Sequence, residues 1–459
     1  MRVLKGIKSH TIFSVMIFLL SHCGNYDTVS GPTQTTDPFE NYTAFDYSEK
    51  INTIYLAVDS SELQYLLDNP TEKGKEFERE CKFLGVFKSD TVFLDCGLRI
   101  HGGVSRQYPK KSFRLYFRDN ELISNNIFTL FPQNTTHANR FSKIILNATA
   151  IDFSYIRNFL SMYITNAVGA MVPRVDFVRL YINEKPYGLY QISEAIHDDM
   201  IEYIIHHDDI DLLKSETHNG DLKTENYYFI HPNSNVPDSL KKDSLVSPCK
   251  GFKLKDGDTV SVSRLVYWME SDSFSYNQLQ NMTTDKTLFG FFAGCYYTGD
   301  TDVLSKNYYY LLDRRSNLFE LIRWDADAAL GRNWCGDIEK CNHFSYKEMI
   351  IKNGLFNKIS HNSEWVGYFR ERMSSAFGAG LNTQSLLQFI NELEELLEDE
   401  VRLDLSVWGE TLLDYFCNEK GWKHWDYSES DTLSVWKNDL QIIRDFISER
   451  QQTILSELL

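Results

Sequence analysis

The chain has 459 residues, of which 42% are hydrophobic and 24% are charged, proportions close to those of an average soluble globular protein. They exclude a wholly disordered chain and a polytopic membrane protein. The 47 Lys and Arg residues against 64 Asp and Glu residues give a net charge of −17, which excludes a general nucleic-acid binder, so any phosphate site must use a local cluster of cations or a metal ion.

The N-terminus has the pattern of an export signal. Arg2, Lys5 and Lys8 precede a ten-residue apolar run, 11–20. As a helix this run would rise about 15 Å, which is too short to cross a bilayer core. A positively charged segment followed by a short apolar run is typical of a secretory signal peptide, and we predict one over residues 1–22.

Residues 20–23, Leu-Ser-His-Cys, resemble a bacterial lipobox. A diacylglycerol on Cys23 would anchor the mature chain, since two acyl chains suffice for stable membrane residence. The polar segment 23–48 predicts a tether to a domain over 49–459. We therefore expect an exported, membrane-anchored lipoprotein of the cell envelope or surface. The alternative is a plain secretory protein with an incidental cysteine.

The first part of the domain, about 49–200, contains short runs that alternate between apolar and polar residues, as strands do. Helical spacing occurs at 156–168, and 63–67 is predicted to be a short helix that ends at Asn69-Pro70. This part is predicted to be α+β and rich in antiparallel sheet. The predicted strands are 53–58, 91–94, 98–100, 112–117 and 143–146, and 177–190 is predicted to be a hairpin with its turn at Asn183-Glu184.

Helices dominate the predicted second part, about 201–459. Apolar residues keep helical spacing from Leu386 to Val401 and again from Leu433 to Ile454. Thr383 is the predicted cap of the first of these helices, and Ser430 or Asp431 of the second. The charge run 392–400 is interpreted as the solvated face of the first helix.

Eight cysteines are present, and an exported chain can oxidise them. With lipid on Cys23, Cys81 and Cys96 would flank a predicted hairpin, and Cys335 and Cys341 could close a small loop. The remaining odd number leaves at least one free thiol. No two CxxC motifs occur, which argues against a structural zinc site.

The densest group of polar side chains lies at 299–310 and precedes an apolar strand that leads to Asp325. Asp302 and Asn307 have the spacing of the catalytic Asp and the metal-binding Asn in a kinase catalytic loop. A carboxylate at the end of a strand can hold a divalent cation against phosphate oxygens. The pattern indicates phosphoryl transfer with Mg²⁺, in which one carboxylate accepts the proton of the acceptor hydroxyl.

Other interpretations of this group stay open. Asp and Asn also cap helices and form turns. The pair Asp325 and Asp327 has a spacing found in calcium loops and at the metal sites of glycosyltransferases. A metal-dependent glycosyltransferase is therefore an alternative, although the antiparallel first part argues against the parallel start expected of a sugar-nucleotide enzyme.

A second group, 98–115, contains two adjacent glycines, Ser105, and then Lys110 and Lys111 at the start of a strand. Adjacent glycines allow a close approach to the backbone, and side chains alternate along a strand, so one lysine should point into a cleft. A strand lysine that binds nucleotide phosphates pairs with a distant Glu in kinases, and Glu194, after the predicted hairpin, is the candidate partner. The alternative is a solvated basic edge strand.

These segments together resemble the spore-coat protein H (CotH) kinase-like family over about residues 50–455. Four motifs occur in the family's order, which is far more specific than any one motif. The matching residues are Arg99, Gly102, Ser105, Lys110, Lys111, Ser112, Arg114 and Leu115 in the first, Leu146, Asp152, Arg157 and Asn158 in the second, Asn183, Gly188, Tyr190 and Glu194 in the third, and Asn307, Tyr308, Tyr310, Trp324, Asp325, Asp327 and Gly331 in the fourth.

The resemblance implies an α+β, atypical protein-kinase-like bilobal fold, with an antiparallel-sheet-rich N-terminal part and a helix-rich C-terminal part. It implies a kinase that transfers the γ-phosphate of ATP to Ser or Thr hydroxyls of surface or secreted proteins, with Mg²⁺ or Mn²⁺ as the metal. Asp302 would be the catalytic base, Asn307, Asp325 and Asp327 the metal ligands, and Arg99, Ser105, Lys110, Lys111 and Glu194 the nucleotide-binding residues. The expected partners are a nucleotide, a protein substrate at the cell surface and, through the lipid anchor, a membrane, with no nucleic acid.

Two departures from the family pattern keep a second class of function open. Gly103-Val104-Ser105 retains one hydroxyl where the family often has Asn-Ser-Ser, and Lys306 precedes Asn307 where a neutral residue or His is expected. A catalytically weak or inactive surface or adhesion lipoprotein on the same scaffold is therefore the alternative to an active kinase.

Overall fold

In the computed structural model of the chain, the residues described are 51–88, 90–131, 139–216, 220–223, 251–269, 271–300, 302–378, 380–422 and 431–458. The predicted signal peptide, Cys23 and the tether lie outside these ranges. No helix within them is both long enough and apolar enough to cross a membrane.

Seven strands of the N-terminal part close into a barrel, in the order β1-β2-β3-β4-β7-β9-β8. All neighbouring pairs are antiparallel except β1 and β8, whose parallel pairing closes the barrel. A separate two-stranded sheet joins β5 and β6. The strands are β1 (Asn52–Ala57), β2 (Arg79–Phe87), β3 (Asp90–His101), β4 (Ser112–Tyr116), β5 (Leu122–Ile123), β6 (Arg140–Phe141), β7 (Lys143–Asn147), β8 (Val175–Ile182) and β9 (Lys185–Glu194).

Period-two alternation decides which side chains fill the barrel. On β4, Phe113 and Leu115 are fully buried in the hydrophobic core of the barrel, whereas Ser112 lines a cavity outside it. The predicted hairpin is confirmed as β8 and β9, with φ values of +49° at Asn183 and +66° at Glu184. Two consecutive positive φ angles are typical of a type I′ turn, whose twist matches that of the flanking strands.

The C-terminal part contains a second sheet as well as helices. Its four strands run antiparallel in the order β11-β10-β12-β13. They are β10 (Ile210–Ser215), β11 (Phe252–Asp256), β12 (Tyr308–Asp313) and β13 (Leu318–Arg323), and the helices of the whole chain are α1 (Ser60–Asp68), α2 (Arg157–Ala167), α3 (Asp198–Ile205), α4 (Val260–Met269), α5 (Tyr276–Leu279), α6 (Asp285–Thr298), α7 (Tyr346–Lys352), α8 (Gly354–Ile359), α9 (Ser363–Gly378), α10 (Thr383–Leu413) and α11 (Thr432–Leu458).

The predicted α+β class, with a sheet-rich N-terminal part and a helix-rich C-terminal part, is confirmed. All described residues belong to one compact unit, Ala44–Leu459. The physical reason is that the last helices complete the barrel. Leu412, Leu413, Phe416 and Val435 are buried in the same core as the barrel strands.

Local details of the prediction differ at a helix start and at the cysteines. Asn382, not Thr383, caps α10, and its side chain accepts a hydrogen bond from the Ser385 backbone N–H at 2.9 Å. Among the described residues the cysteines are free thiols. The predicted pair Cys335 and Cys341 therefore does not close a loop, whereas the two cysteines of the first hairpin, Cys81 and Cys96, are direct neighbours across β2 and β3.

Candidate active site

A cavity of 490 Å³ lies between the barrel and the four-stranded sheet. One wall comes from β3, β4 and β7–β9, and the other from β10 and the segments just before β12 and just after β13. The cavity brings together six of the nine predicted catalytic, nucleotide-binding and metal-binding residues. These are Ser105, Lys110, Asp302, Asn307, Asp325 and Asp327.

Asn307 and Asp325 meet because β12 and β13 are paired. Tyr308 and Arg323 are opposite each other in the register, so the residue before β12 and the residues after β13 lie at the same end of the hairpin. Asn307 and Asp325 have φ values of +59° and +58°, a left-handed conformation that Asn and Asp tolerate better than other non-glycine residues. The Asn307 amide Nδ2 donates to the Asp325 carbonyl oxygen at 3.4 Å, and the Trp324 N–H donates to the Asn307 carbonyl at 3.1 Å.

A buried ion pair shapes the loop that carries Asp302. Arg323 binds Asp300 at 2.8 Å, and both side chains are almost completely buried. The other oxygen of Asp300 accepts hydrogen bonds from the backbone N–H groups of Asp302 and Val303, at 2.9 and 3.2 Å. These bonds fix the turn, and they place Asp302 so that its Oδ2 accepts from Asn307 Nδ2 at 3.1 Å.

Lys306, the residue that departs from the family pattern, contacts the same oxygen. Its Nζ lies 2.9 Å from Asp302 Oδ2. The ammonium group lines the cavity as well, so it brings a positive charge directly to the candidate catalytic carboxylate.

The two aspartates after β13 lack full charge compensation. Burial raises the pKa of Asp325 to about 6, with Lys214 opposing the shift and Asp302 adding to it. Burial, followed by the neighbouring Asp325 carboxylate, raises the pKa of Asp327 well above its ordinary value. A bound cation would relieve both effects.

The donor set fits a magnesium or manganese ion. Asn307, Asp325 and Asp327 offer oxygen ligands, which these ions prefer. Within the described ranges no three His, Cys, Asp or Glu side chains stand close enough together to hold a metal ion.

The two lysines point in different directions, as strand alternation predicts. Lys110 lines the cavity, and its Nζ donates to Asp404 Oδ1 and to the Leu189 carbonyl oxygen, both at 2.7 Å. Lys111 turns away and donates to the carbonyl oxygens of Arg106 and Tyr108, at 2.9 and 2.6 Å. Lys111 therefore holds the loop before β4 in place rather than facing the cavity.

The predicted pair between a lysine and Glu194 is wrong. Glu194 binds Arg174 at 2.7 Å, while Lys110 binds Asp404. The reason is again alternation, because Ser193 of β9 faces the cavity and its neighbour Glu194 does not. Arg99, also predicted to contact the nucleotide, does not line the cavity. Its guanidinium binds Glu78 at 2.7 Å and lies 4.0 Å from the centroid of the Tyr116 ring.

Asp404, on α10, is the main residue of the site that sequence reasoning missed. Its carboxylate is fully buried. Besides Lys110, it accepts hydrogen bonds from the Leu189 N–H at 2.8 Å and from the Tyr155 hydroxyl at 2.7 Å. A signal was present in the sequence, because Asp404 falls on the apolar face of α10, where an acid requires a buried partner.

Asn158 of α2, known only from the family motif, positions the segment with the aspartates. Its Oδ1 accepts a hydrogen bond from the Ala326 N–H at 2.9 Å, and its Nδ2 donates to Gln191 Oε1 at 2.8 Å. The backbone between Asp325 and Asp327 is thereby tied to the barrel.

The remaining cavity wall is largely apolar. It contains a group of aliphatic side chains from β7, α2, β8 and the loops beside them, whereas most of the charged groups come from the segments before β12 and after β13 and from β10. The aliphatic residues are Ile145, Ile151, Met162, Pro173 and Val175. A cavity lined by both aliphatic and charged groups suits a ligand that has an apolar part and a charged part.

The sequence model of the family described as "CotH kinase protein" matches residues 98–454. The inner spore coat protein H of Bacillus subtilis (strain 168) is 24% identical over 260 residues, which is 55% of this chain. The match spans 63% of the length of that relative.

Among solved structures, the crystal structure of the Helicobacter pylori proinflammatory kinase CtkA aligns with 76% of this chain and 92% of its own. The TM-score is 0.33 and the sequence identity is 9%. A likeness of this size does not define a shared fold.

Proposed function

The chain belongs to the CotH kinase family, and from that premise we propose that it is an ATP-dependent protein kinase with an atypical kinase-like fold. It transfers the γ-phosphate of ATP to Ser or Thr hydroxyls of surface or secreted proteins. The observation that carries the proposal is the convergence of Asp302, Asn307, Asp325 and Lys110, from distant parts of the chain, on one cavity.

In the proposed reaction, Asp302 is the general base. The oxygen of the acceptor hydroxyl forms a bond to the γ-phosphorus while the bond from that phosphorus to the β–γ bridging oxygen breaks. The proton of the hydroxyl passes to the Asp302 carboxylate, and ADP leaves. Asn307 supports this role, because its amide holds Asp302 Oδ2 at 3.1 Å.

Asn307 and Asp325, with Asp327 beside them, would hold Mg²⁺ or Mn²⁺. When bound, the metal supplies positive charge that offsets the charge of the phosphates. The left-handed backbone at Asn307 and Asp325 aims both side chains from the same end of the β12–β13 hairpin. The Asn158–Ala326 hydrogen bond keeps the second of them in register with the barrel.

The loop between β3 and β4 is the proposed cover of the phosphates. Gly102 has a φ of +114°, and a Cβ there would lie 2.2 Å from Ser105 Oγ, so only glycine fits. A Cβ at Gly103 would meet nothing within 4 Å, which leaves that stretch of backbone open to a ligand. The Ser105 hydroxyl lines the cavity beside it.

We also propose that the protein is exported and held in a membrane by lipid on Cys23. The pattern of the first 23 residues supports this. A relative named as a spore coat protein supports a location at a surface or coat.

A catalytically weak or inactive surface lipoprotein is the second candidate. The ion pair between Lys306 and Asp302 favours it, because an ammonium group competes with an acceptor hydroxyl for the same carboxylate. A metal-dependent glycosyltransferase has no comparable support, since the family is one of kinases.

The two candidates are separated by incubating the mature protein with labelled ATP and Mg²⁺ or Mn²⁺ and locating phosphate by mass spectrometry. An active kinase is expected to phosphorylate itself or an added surface protein, and Asp302→Asn is expected to abolish the label. Nucleotide binding without transfer in the parent protein would favour the inactive candidate. Absence of nucleotide binding with either metal would overturn the proposal.

A further inference from the structure

The two family lysines are already committed to protein acceptors. Lys110 Nζ has a fully buried carboxylate and a carbonyl oxygen at 2.7 Å, and Lys111 Nζ donates to two loop carbonyls. A terminal phosphate carries charge that needs a cation with donors to spare. We therefore expect a different cation on the cavity wall to bind the terminal phosphate.

Lys214, on β10, is such a cation. It lines the cavity together with Asp325. Its Nζ lies 4.2 Å from the centroid of the Trp324 ring, and the carboxylate of Glu216 is 3.6 Å away, so the ion pair is a loose one. The Lys214 side chain is 18% exposed, whereas that of Lys110 is 0% exposed.

Two further donors lie in the same region without an acceptor. Arg114 Nε and Trp324 Nε1 are buried, and no hydrogen-bond partner for either exists among the described residues. Trp324 lines the cavity, and Arg114 lies two residues along β4 from Ser112, which also lines it. Buried donors of this kind normally have a partner, so the unpaired indole N–H on the cavity wall points to an acceptor supplied by a ligand.

The local charge agrees with an anionic ligand. His101, on the cavity wall, packs edge-on against Trp324 with ring centroids 6.3 Å apart. Burial, followed by the positive charges of Arg114 and Lys214, holds the pKa of His101 well below its ordinary value. These two positive charges therefore act on this part of the cavity wall, in a chain whose net charge is −17.

We propose that Lys214, supported by Arg114 and by the indole N–H of Trp324, forms an anion subsite that binds the terminal phosphate of the nucleotide. The inference rests on the proposed function. The lysine that contacts the transferred group then comes from the four-stranded sheet, on the wall opposite the lysine pair that precedes β4. Lys110 keeps the role of a positioning residue, fixed by Asp404.

The nucleotide, rather than an acidic side chain of the acceptor protein, is the favoured ligand because of Asp325. Lys214 Nζ lies 4.2 Å from the ring centroid of Trp324, the residue directly before Asp325, and Lys214 and Asp325 line the same cavity. A cation this close to a proposed metal ligand is placed for the same phosphate oxygens that complete the metal shell.

The test compares two lysines that share one partner. Lys255, on β11, lies 3.5 Å from Glu216, nearly the distance of Lys214, but it does not line the cavity. Lys214→Met, Lys214→Arg and Lys255→Met are prepared in the full mature chain. The dissociation constants of ATP and ADP with Mg²⁺ are measured for each variant by calorimetry, with thermal unfolding as the check on folding.

For the parent protein we expect ATP to bind more tightly than ADP. Lys214→Met is expected to weaken ATP binding by about tenfold, the worth of one charge-assisted hydrogen bond, while leaving ADP binding unchanged. Lys214→Arg should retain most of the preference for ATP, and Lys255→Met should behave as the parent. The effect of Lys214→Met therefore appears as a change in the ratio of the ATP and ADP dissociation constants. A general loss of folding would weaken the binding of both nucleotides and leave that ratio unchanged.

An unchanged ratio of the ATP and ADP dissociation constants in Lys214→Met would overturn the subsite while leaving the proposed function intact. If the KM for acidic peptide acceptors rose at the same time, the subsite would belong to the acceptor. A parent protein that binds neither nucleotide with Mg²⁺ or Mn²⁺ would instead overturn the proposed function itself.

Discussion

Lys110 and Asp404 are 294 residues apart in the sequence and form an ion pair of 2.7 Å in which both side chains are fully buried. The pair joins a strand of the barrel to α10, so a helix from the far end of the chain holds the ammonium group at the cavity. The Leu189 N–H and the Tyr155 hydroxyl bind the same carboxylate. These hydrogen bonds fix the positions of the Lys110 and Asp404 side chains.

Removing the negative charge of this pair should destabilise the fold. In Asp404→Asn the Lys110 ammonium would be buried without a counter-charge, and we expect a loss of about 3–5 kcal/mol in the free energy of unfolding. Chemical denaturation measures it. The matched control is Asp399→Asn on the exposed face of the same helix, expected to change stability by less than about 0.5 kcal/mol. Equal effects of the two substitutions would contradict the structural importance of the pair.

Asp302→Asn tests the proposed base without removing the side chain. The amide has nearly the same shape and cannot accept the proton of the acceptor hydroxyl. We expect nucleotide affinity close to that of the parent and a transfer rate lower by about 10²–10⁴-fold. Calorimetry and labelled-ATP transfer give the two quantities separately. Transfer at the parental rate would show that another group is the base.

Asp325→Ala tests the metal ligands. Because the variant loses a carboxylate that we place on the metal, the increase in ATP affinity produced by Mg²⁺ or Mn²⁺ should disappear. ATP titrated without any divalent metal is the control, and it should bind parent and variant alike. If metal strengthened ATP binding equally in both proteins, Asp325 would have no part in the metal shell.

Asp176, on β8, gives a prediction about stability and pH away from the site. It is buried, and its carboxylate accepts hydrogen bonds from the backbone N–H groups of Thr129, Leu130 and Phe177, at 2.6, 3.0 and 2.7 Å. Burial raises its pKa to about 6 despite these bonds. The folded protein then binds a proton that the unfolded chain releases near pH 4, so this group lowers stability as the pH rises from about 4 to about 6.

The neutral variant Asp176→Asn should not lose stability in this way as the pH rises, because its side chain does not titrate. Relative to the parent, its free energy of unfolding is expected to increase by up to about 3 kcal/mol between pH 4 and pH 7. Thermal or chemical unfolding at a series of pH values measures the difference. A difference that stays constant with pH would show that the Asp176 carboxyl titrates alike in the folded and unfolded chain.

The sequence was sufficient for features that depend on short spacing. Asp302 and Asn307 are joined by one loop, and Asp325 follows the strand that pairs with β12, so local rules predict their meeting. The hairpin turn at Asn183-Glu184 is also predictable from the local sequence, because residue type alone indicates the backbone conformation.

Features that depend on distant pairing were missed. Period-two patterns identify strands but do not say that β1 pairs with β8, and this parallel pair is what closes the barrel. The partner of Lys110 was assigned to Glu194 by analogy, whereas the direction of β9 side chains turns Glu194 towards Arg174. Asp404 could be found only by asking why an acid lies on an apolar helix face.

The last residue of the charge run 392–400 makes another contact that the sequence pattern does not predict. Most of this run is on the exposed face of α10, as predicted. Glu400 is buried and binds Arg179 of β8, with Nε and Oε2 2.7 Å apart. The period of the helix turns Glu400 towards the barrel, and this could be recognised only once the orientation of α10 was known.

The dependence of the barrel on α10 and α11 sets an order of events during synthesis. The last barrel strand ends at Glu194, yet Val435 is one of the side chains that complete the hydrophobic core of the barrel. A nascent chain with all seven strands still lacks that cover and the counter-ion of Lys110. The hydrophobic core of the barrel can therefore be completed only when almost the whole chain has been made.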